Sequence, residues 1–332
     1  MTKVIDISKD DRYQTIHDAY IELKEDVKSG LENPIKYLPT KYLYDEHGSE
    51  LFNQITRSPD YYLTGVELEI LTVNKSDISE QIGDVPFNLI ELGPGEGLKT
   101  EILIGEFLQK ALLFSYIPID ISTQYLKKFL HRLHRQLPTL NATGIHSDYF
   151  KGMEWVNKHS DQRNVVLFLG SSIGNFDTLS TIEFLKHLHD TLNHGDFVLL
   201  GFDLSKDPYV LMRAYNDKEG ITRAFNLNLL QRLNCELGAN FNLDKFHHYA
   251  TYNVYTGAME SYLVSLVAQT VYIDALDQSF EFREVEPIHV EYSFKYRVDQ
   301  IEAFAQKAGF KIVKHYLDSH HYFLDSLWCV EK

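Results

Sequence analysis

Short apolar runs alternate with amphipathic stretches through the middle of the chain, between residues 87 and 203. The apolar runs have the length of buried strands and predict strands at 87–92, 114–121, 143–148, 165–170 and 196–203. The stretches between them carry apolar residues at helical spacing and predict helices at 99–110, 122–136 and 178–192, and a further helix is predicted at 66–74, before the first strand. Strands that alternate with helices form a parallel sheet with the helices packed on its faces. We therefore predict an α/β domain in this part of the chain.

This alternation stops after residue 203. Two predicted helices, at 208–215 and 221–237, precede β-like runs at 249–255, 259–273 and 288–296. In these runs polar and apolar residues alternate, as is typical of an antiparallel sheet with one buried face. A helix at 298–308 and a terminal pair of strands, at 311–317 and 322–331, complete the predicted elements.

The two patterns predict two domains. The first is a Rossmann-like α/β domain at 65–205 and 296–332. The second is an α+β domain built from the N-terminal segment 1–64, which is dense in Tyr and Phe, and the insertion 206–295. We expect the second domain to bind the substrate.

Composition narrows the classes of function. The formal net charge is −15, and no basic run with interleaved aromatic residues occurs, so we expect no nucleic-acid partner. No apolar run approaches the ~18 residues of a membrane span, and the N-terminus lacks the apolar core of a signal peptide. With 2 cysteines no disulfide framework is implied. We expect a cytoplasmic monomer that acts on small molecules.

The loop after the first of these strands carries glycine at alternate positions, Gly93, Gly95 and Gly97. The dinucleotide fingerprint requires glycine at the sixth place of G-x-G-x-x-G, where this chain has Leu98, and no phosphate-binding P-loop motif occurs. These differences disfavour NAD and ATP. An E-x-G-x-G loop suits S-adenosylmethionine, whose amino-acid part and ribose carry no phosphate, and Glu91 is expected to support the loop and the amino-acid end of such a ligand.

Acidic and polar residues follow the next strands. Asp120 is placed to accept both ribose hydroxyls, although it could instead be the N-cap of the following helix, a role that suits Ser122 better. Asp148 is placed to accept a hydrogen bond from the adenine amino group, while Tyr149 covers the adenine ring. Alternatively, Asp148 is a simple turn residue. The polar loop 170–176 ends the fourth strand, either as a structural turn or where a methyl acceptor would bind.

Histidines near the C-terminus do not form a recognisable metal motif. His315, His320 and His321 lack the spacing of a ligand set, and Asp318 does not complete one. We therefore predict no metal site.

Many short motifs carry a resemblance to a known family. They include 38–45, 48–52, 91–93, 116–122, 168–170, 173–176, 214–217, 224–226 and 291–293. Because these motifs occur together and in this order, the chain resembles the histidine-specific S-adenosylmethionine-dependent methyltransferases over nearly its whole length. The predicted five parallel strands, late helix and terminal strand pair also match a class I methyltransferase sheet.

The resemblance implies a reaction, a cofactor and site residues. The reaction is methylation of the α-amine of L-histidine to trimethylhistidine (hercynine) in ergothioneine biosynthesis, with S-adenosylhomocysteine as the second product. The cofactor positions are Gly93, Lys99, Asp120, Asp148 and Tyr149. The positions that surround the amino acid are Tyr44, Phe52, Tyr61, Gly170, Asn175, Tyr215, Glu291 and Ser293.

Within that implied pocket several residues have distinct roles. Asn175 and Tyr215 resemble the pair that holds the substrate carboxylate, and Glu291 and Ser293 resemble the pair that contacts the imidazole nitrogens. The phenol of Tyr44 is expected to hydrogen-bond the reacting amine. On the residues alone, Glu291 and Ser293 would also fit an exposed strand edge.

The chain departs from the family at Ser261, where the histidine enzyme has a methionine that lines the imidazole pocket. This departure concerns the choice of substrate and not the methyltransferase reaction. Two alternatives to histidine methylation stay open. The acceptor could be another amino acid or amine, such as a tryptophan-type or thiolated-histidine substrate, or the protein could bind the cofactor without catalysis.

Overall fold

The computed structural model describes residues 3–7 and 16–332, which fall into two compact units. The first unit contains residues 3–7, Leu63–Ser205 and Lys295–Lys332. The second contains residues 16–62 and Lys206–Phe294. None of the helices in these described ranges is long and apolar enough to cross a membrane.

The strands, in chain order, are β1 Lys3–Asp6, β2 Phe87–Leu92, β3 Phe114–Asp120, β4 Thr143–His146, β5 Arg163–Phe168, β6 Phe197–Asp203, β7 Phe246–Asn253, β8 Ala258–Ser265, β9 Gln269–Ile273, β10 Gln278–Phe282, β11 Pro287–Phe294, β12 Phe310–Leu317 and β13 Phe323–Val330. The helices are α1 Ile16–Glu32, α2 Glu46–Ile55, α3 Tyr62–Ile82, α4 Leu98–Gln109, α5 Thr123–Gln136, α6 Tyr149–His159, α7 Thr178–Thr191, α8 Pro208–Tyr215, α9 Ile221–Leu237 and α10 Val298–Ala308.

The first unit is built on a sheet of eight described strands in the order β1-β4-β3-β2-β5-β6-β13-β12. Strands β1 to β6 pair in parallel, and β13 is antiparallel to both β6 and β12. All six residues of the central strand β2 are buried, as expected for a parallel strand covered on both faces. The predicted parallel strands and the Rossmann-like fold are confirmed, and the strand ends differ from prediction by one or two residues.

Three elements of the first unit differ from the prediction. The segment 1–64 was assigned to the second domain, yet β1 pairs in parallel with β4 at the edge of the main sheet. Residues 1, 2 and 8–15 of that segment lie outside the described residues. Helix α3 is longer than the predicted 66–74 and ends at Ile82; the prediction stops early because the polar run Lys75–Asp77 interrupts the apolar pattern. Helix α6 is absent from the prediction.

The second unit contains an antiparallel sheet in the order β11-β8-β7 and a separate hairpin of β9 and β10. Its core joins residues of α9, such as Leu229 and Leu233, to Phe246, Leu263 and Ile288 of the sheet. The predicted antiparallel pairing is confirmed. The run 259–273, which looked continuous in the sequence, is two strands, and β10 was not predicted.

Candidate active site

The loop that follows β2 turns sharply at each glycine. Gly93, Gly95 and Gly97 have φ angles of +69°, +53° and +71°, in the left-handed region that glycine adopts at little cost. At Gly97, which precedes α4, a Cβ atom would lie 2.2 Å from the ring of Phe129 on α5. The loop therefore brings bare backbone and the N-terminus of α4 to the carboxyl edge of the sheet, where α/β folds bind ligands.

The Glu91 carboxylate, near the end of β2, links the helix that follows the loop to the neighbouring strand β3. It is only 3% exposed, and its two carboxylate oxygens accept hydrogen bonds from the hydroxyls of Thr100 on α4 and Tyr116 on β3. Burial raises the pKa of Glu91 to about 7, and the two hydrogen bonds and Lys99 oppose that shift. Each oxygen thus has a protein donor, so Glu91 supports the loop, and its second role, toward the amino-acid end of a ligand, stays a prediction.

Asp120 ends β3, the next strand of the sheet. Its Oδ1 accepts the N–H of Ser122 at 2.8 Å, while the Ser122 hydroxyl caps α5 by accepting the N–H of Tyr125. The alternative that Asp120 is itself the N-cap is therefore wrong. Burial raises the pKa of Asp120 to about 6, against backbone hydrogen bonds and His146, which lower it. Such a desolvated carboxylate is suited to accept hydrogen bonds from neutral hydroxyl donors.

Asp148 and Tyr149 begin α6, at the end of β4. Asp148 is the N-cap: its Oδ1 accepts the N–H of Lys151 at 3.0 Å and its Oδ2 lies 3.5 Å from Lys151 Nζ. This is the turn role that the sequence left open, and a contact with adenine stays a prediction. The Tyr149 hydroxyl would lie 2.9 Å from a Cβ at Gly93, and burial raises the pKa of this phenol. Tyr149 therefore reaches the glycine loop.

Lys99 and Gly170, which the sequence singled out separately, are joined by one buried carboxylate. Lys99 Nζ lies 2.5 Å from Glu67 Oε2. The N–H of Gly170, after β5, donates to Glu67 Oε1 at 2.8 Å and to Oε2 at 3.1 Å. Glu67 was not predicted as a site residue from the sequence. Its helical spacing from Leu63 and Ile70 of α3 could have indicated that this acid lies on the buried face of the helix.

Asn175 closes the short 3-10 turn Ser172–Asn175 that follows Gly170. The turn opens at Ser171, whose φ is +57° and whose hydroxyl accepts the N–H of Asp203 at 2.9 Å. Backbone and side-chain hydrogen bonds thus hold the half-buried Asn175 at the carboxyl edge of the sheet.

Aromatic rings form a connected cluster in the second unit. Tyr44 packs edge-on against Phe52 at 5.5 Å and against Phe225 of α9 at 5.4 Å between ring centroids. Phe52 also contacts Phe225 at 5.8 Å and Tyr61 at 6.3 Å. Tyr61 in turn packs against Tyr215 at 6.3 Å. The structure thus brings together four residues predicted for the amino-acid pocket and adds Phe225 to them.

Glu291, Ser293 and Ser261 lie together on the sheet of the same unit. Glu291 pairs directly with Ser261 of β8, and Ser293 pairs with Met259, after an irregularity in register at Val290. The Tyr215 hydroxyl donates to Ser293 Oγ at 2.7 Å. Although β11 is an edge strand, the side chains of Glu291 and Ser293 are buried, so the alternative of an exposed strand edge is wrong.

The C-terminal histidines do not converge. Among the described residues, the potential metal ligands that lie together are Glu69, Asp318 and His320. The Asp318 carboxylate accepts backbone N–H groups of His320, Tyr322 and Phe323, and Glu69 accepts that of Ser319. These carboxylates shape the turn between β12 and β13.

The first unit has the architecture of a class I S-adenosylmethionine-dependent methyltransferase. Its parallel strands end in a glycine loop, a buried acidic residue on the neighbouring strand and an antiparallel terminal strand beside β6. Residues 23–330 match the family model described as "Histidine-specific methyltransferase, SAM-dependent". The chain belongs to the histidine-specific S-adenosylmethionine-dependent methyltransferase family.

Individual relatives agree with this assignment. The histidine N-alpha-methyltransferase of Mycolicibacterium smegmatis is 38% identical over 90% of this chain and 92% of its own length. Ergothioneine biosynthesis protein 1 of Schizosaccharomyces pombe is 30% identical over 84% of this chain, which matches 37% of that longer protein. The 4-dimethylallyltryptophan N-methyltransferase easF of Claviceps purpurea is 26% identical over 82% of this chain and 85% of its own.

Proposed function

We propose that this protein transfers methyl groups from S-adenosylmethionine to the α-amine of L-histidine and forms hercynine, a step of ergothioneine biosynthesis. The observation that carries the proposal is the buried pair Glu291 and Ser293 on β11. A carboxylate and a hydroxyl two residues apart can accept from one imidazole N–H and donate to the other ring nitrogen. The names of the bacterial and fission-yeast relatives support the same substrate and pathway. We expect a cytoplasmic monomer, as proposed from the sequence.

The donor set of the first unit fits S-adenosylmethionine. Gly93 brings its backbone close to the Tyr149 hydroxyl, which would lie 2.9 Å from a Cβ at this position, and Asp120 is a desolvated carboxylate suited to ribose hydroxyls. Lys99 supplies a positive charge for the carboxylate of the cofactor's amino-acid part. Asp148 and Tyr149 are assigned to the adenine. When bound, the cofactor supplies an electrophilic methyl group on a sulfonium.

The family resemblance assigns the following residues to the amino-acid substrate. In the first unit, Gly170 and Asn175 offer polar groups. In the second, Tyr215 is assigned to the substrate carboxylate, and Phe52 and Tyr61 provide apolar ring surfaces. Glu291 and Ser293 contact the imidazole beside Ser261.

The chain's residues promote the reaction by alignment and by removing water, because displacement at a sulfonium methyl requires the attacking nitrogen to lie in line with the breaking bond. Free α-amines are mostly protonated near pH 7, so the amine must lose a proton before it attacks. This proton would pass to solvent, because the like charge of a bound sulfonium would disfavour the ammonium form. The Tyr44 phenol, which packs against Phe52 and Phe225, can accept a hydrogen bond from a remaining amine N–H and so orient the nitrogen lone pair.

A second candidate substrate is an amino acid with a different ring, such as a tryptophan-type amine or a thiolated histidine. Ser261 favours it, since this small buried side chain lies directly opposite Glu291, where it leaves more room than a methionine would. The similarity to the Claviceps purpurea enzyme supports the same alternative.

Isothermal titration with S-adenosylhomocysteine and a panel of amino acids tests these proposals. Tight binding of histidine in the presence of S-adenosylhomocysteine, followed by methyl transfer when S-adenosylmethionine replaces it, is the expected result. Preference for tryptophan or a thiolated histidine would favour the second candidate. Binding of both ligands without transfer would indicate a non-catalytic protein, and failure to bind either sulfur ligand would contradict the whole proposal.

A further inference from the structure

A second buried carboxyl group, Asp325 of β13, lies beside Glu67. Asp325 pairs with Gly201 of β6, and residues directly opposite each other on antiparallel strands project to the same face of the sheet. A Cβ atom at Gly201 would lie 2.6 Å from Glu67 Oε1. The Glu67 carboxylate therefore occupies the space above Gly201, next to the Asp325 side chain.

The two carboxyl groups cannot both be ionised at this site. Glu67 and Asp325 are each 0% exposed. Lys99 is the cation paired with Glu67, and no nitrogen or hydroxyl donor among the described residues reaches either oxygen of Asp325. Two buried carboxyl groups within hydrogen-bond reach share a proton, because the second negative charge would lack compensation.

The energetics of ionisation assign the proton to Asp325. Burial, followed by repulsion from Glu67, raises the pKa of Asp325 well above its ordinary value, and the more distant charge of Lys99 offsets only part of this. Glu67 has direct contact with Lys99 and with the N–H of Gly170, both of which favour its ionised form. Glu91, the other buried acid near Lys99, already receives hydrogen bonds from Thr100 and Tyr116.

We propose that Asp325 is a positioning residue whose protonated carboxyl group donates a hydrogen bond to Glu67, which in turn holds Lys99 and the backbone of Gly170 at the ligand-binding edge of the sheet. The inference rests on the proposed function insofar as Lys99 and Gly170 are ligand residues. Asp325 itself contacts neither cofactor nor substrate. It acts by helping to hold the Glu67 carboxylate in the orientation in which it contacts Lys99 and the N–H of Gly170.

Conservative and non-conservative variants of Asp325 distinguish a neutral hydrogen-bond donor from an ionised group. Asp325→Asn keeps the shape and an N–H donor, so we expect its dissociation constant for S-adenosylhomocysteine to stay within about twofold of the wild type. Asp325→Leu keeps the branched shape, with larger methyl groups in place of the oxygens, and removes the donor, and we expect binding to weaken about tenfold, the effect of one hydrogen bond to a charged group. A role in packing alone would not separate the two variants in this order.

Asp196→Asn provides a matched control at the opposite end of β6. Asp196 is also buried, and it accepts the backbone N–H groups of Asn164 and Asn193. It directly precedes the first residue of β6, whereas Gly201, the partner of Asp325, lies near the other end of that strand. We expect this control to lower the unfolding temperature without changing the dissociation constant for S-adenosylhomocysteine. Asp325→Leu should show the reverse pattern, with weaker binding and an unfolding temperature within a few degrees of the wild type.

Infrared spectroscopy reports the proton directly and does not depend on the folding of the leucine variant. At pH 8.5, above the pKa of Glu91, the wild type should show the carbonyl band of a buried protonated carboxylic acid, and Asp325→Asn should lack it. Absence of that band in the wild type, or equal weakening of binding in the Asn and Leu variants, would overturn the inference. So would unchanged binding in a folded Asp325→Leu. If the wild type fails to bind S-adenosylhomocysteine but shows the band, the proposed function fails and the protonation of Asp325 stands.

Discussion

At the scale of single residues, we expect the half-buried carboxylate of Asp120, which is assigned to the ribose hydroxyls, to link cofactor binding to pH. Its pKa of about 6 in the ligand-free protein lies above the ordinary value of 3.8 because of burial. Ribose hydroxyls that donate to the carboxylate stabilise its ionised form, so the bound state has the lower pKa and binding releases a proton. Affinity must therefore fall as pH decreases through about 6 and level off above it.

We expect the dissociation constant for S-adenosylhomocysteine, measured by calorimetry without acceptor, to rise several-fold between pH 7 and pH 5. In Asp120→Asn binding should be weaker at pH 7 and nearly independent of pH across this window. Glu91 also has a raised pKa, of about 7, and serves as the competing explanation. An equally steep pH dependence in Asp120→Asn would assign the effect to another group.

The phenol of Tyr44 is the residue assigned closest to the reacting amine. Tyr44→Phe keeps the ring contacts with Phe52 and Phe225 and removes the hydroxyl. We expect kcat to fall about tenfold or more, as loss of one hydrogen bond of about 1.4 kcal/mol in the transition state implies, with little change in S-adenosylhomocysteine binding.

Tyr42→Phe is the matched control for that experiment. The Tyr42 hydroxyl donates to Asp26 Oδ2 at 2.8 Å in a partly buried hydrogen bond of the second unit. This variant should lose a little stability and keep its kcat. If Tyr44→Phe turns over at the wild-type rate, Tyr44 has no part in the reaction.

At the scale of elements, the turn from β2 into α4 depends on the close approach of Gly97 to α5. Gly97→Ala forces a left-handed alanine and places its methyl group 2.2 Å from the Phe129 ring. Left-handed strain of about 1–2 kcal/mol and overlap of about 1–3 kcal/mol should both lower the free energy of unfolding of the ligand-free protein.

Gly95→Ala separates these two costs. Gly95 also has a positive φ, but nothing lies within 4 Å of a Cβ built there. Chemical denaturation should show a larger loss for Gly97→Ala than for Gly95→Ala, and Phe129→Leu should recover part of the difference. Equal losses would mean that Phe129 does not constrain the loop.

The strand β11 is the element to which imidazole recognition is assigned. Glu291→Gln keeps the shape and removes the charge that accepts an imidazole N–H. The glutamine oxygen still accepts the N–H, so the change replaces a hydrogen bond to a charged group by a neutral one, a loss of about 1 kcal/mol, which should raise KM for histidine about fivefold and leave S-adenosylhomocysteine binding unchanged.

Glu260→Gln is a suitable control on the adjacent strand β8. Glu260 pairs with Tyr292, one position along from Glu291, and accepts hydrogen bonds from Tyr262 and Asn253. Alternation along the strand directs it to the opposite face of the sheet from Ser261. We expect its KM for histidine to match the wild type. A similar rise in both variants would argue for a general disturbance of the sheet.

At the scale of the whole molecule, the elements that sequence could predict were those with a strong periodic pattern. The fully buried β2 and the amphipathic α5 can each be recognised from a short window of sequence. Strand β1 could not be recognised, because four residues with mixed polarity become a strand only through pairing with β4, which lies far along the chain. Local pattern carries no information about such a partner.

The same limit applies to the candidate site. Glycine loops and acids at strand ends can be recognised locally, and Asp120 was. Glu67 and Asp325 each look like an isolated acid in an apolar segment, and their relation emerges only when β13 pairs with β6 and places Asp325 beside Gly201. An acid within an apolar strand or on the buried face of a helix is the signal to follow.

The central claim is that the family's chemistry acts here on the α-amine of histidine. The most direct measurement is mass spectrometry of the products formed by the purified protein from S-adenosylmethionine and L-histidine, with Nα-acetylhistidine as a blocked control. We expect mono-, di- and trimethylated histidine with every methyl group on the α-nitrogen, equivalent formation of S-adenosylhomocysteine, and no product from the blocked substrate. Methylation of the imidazole ring, methylation of the blocked substrate, or no transfer to histidine while S-adenosylmethionine is bound would contradict the account.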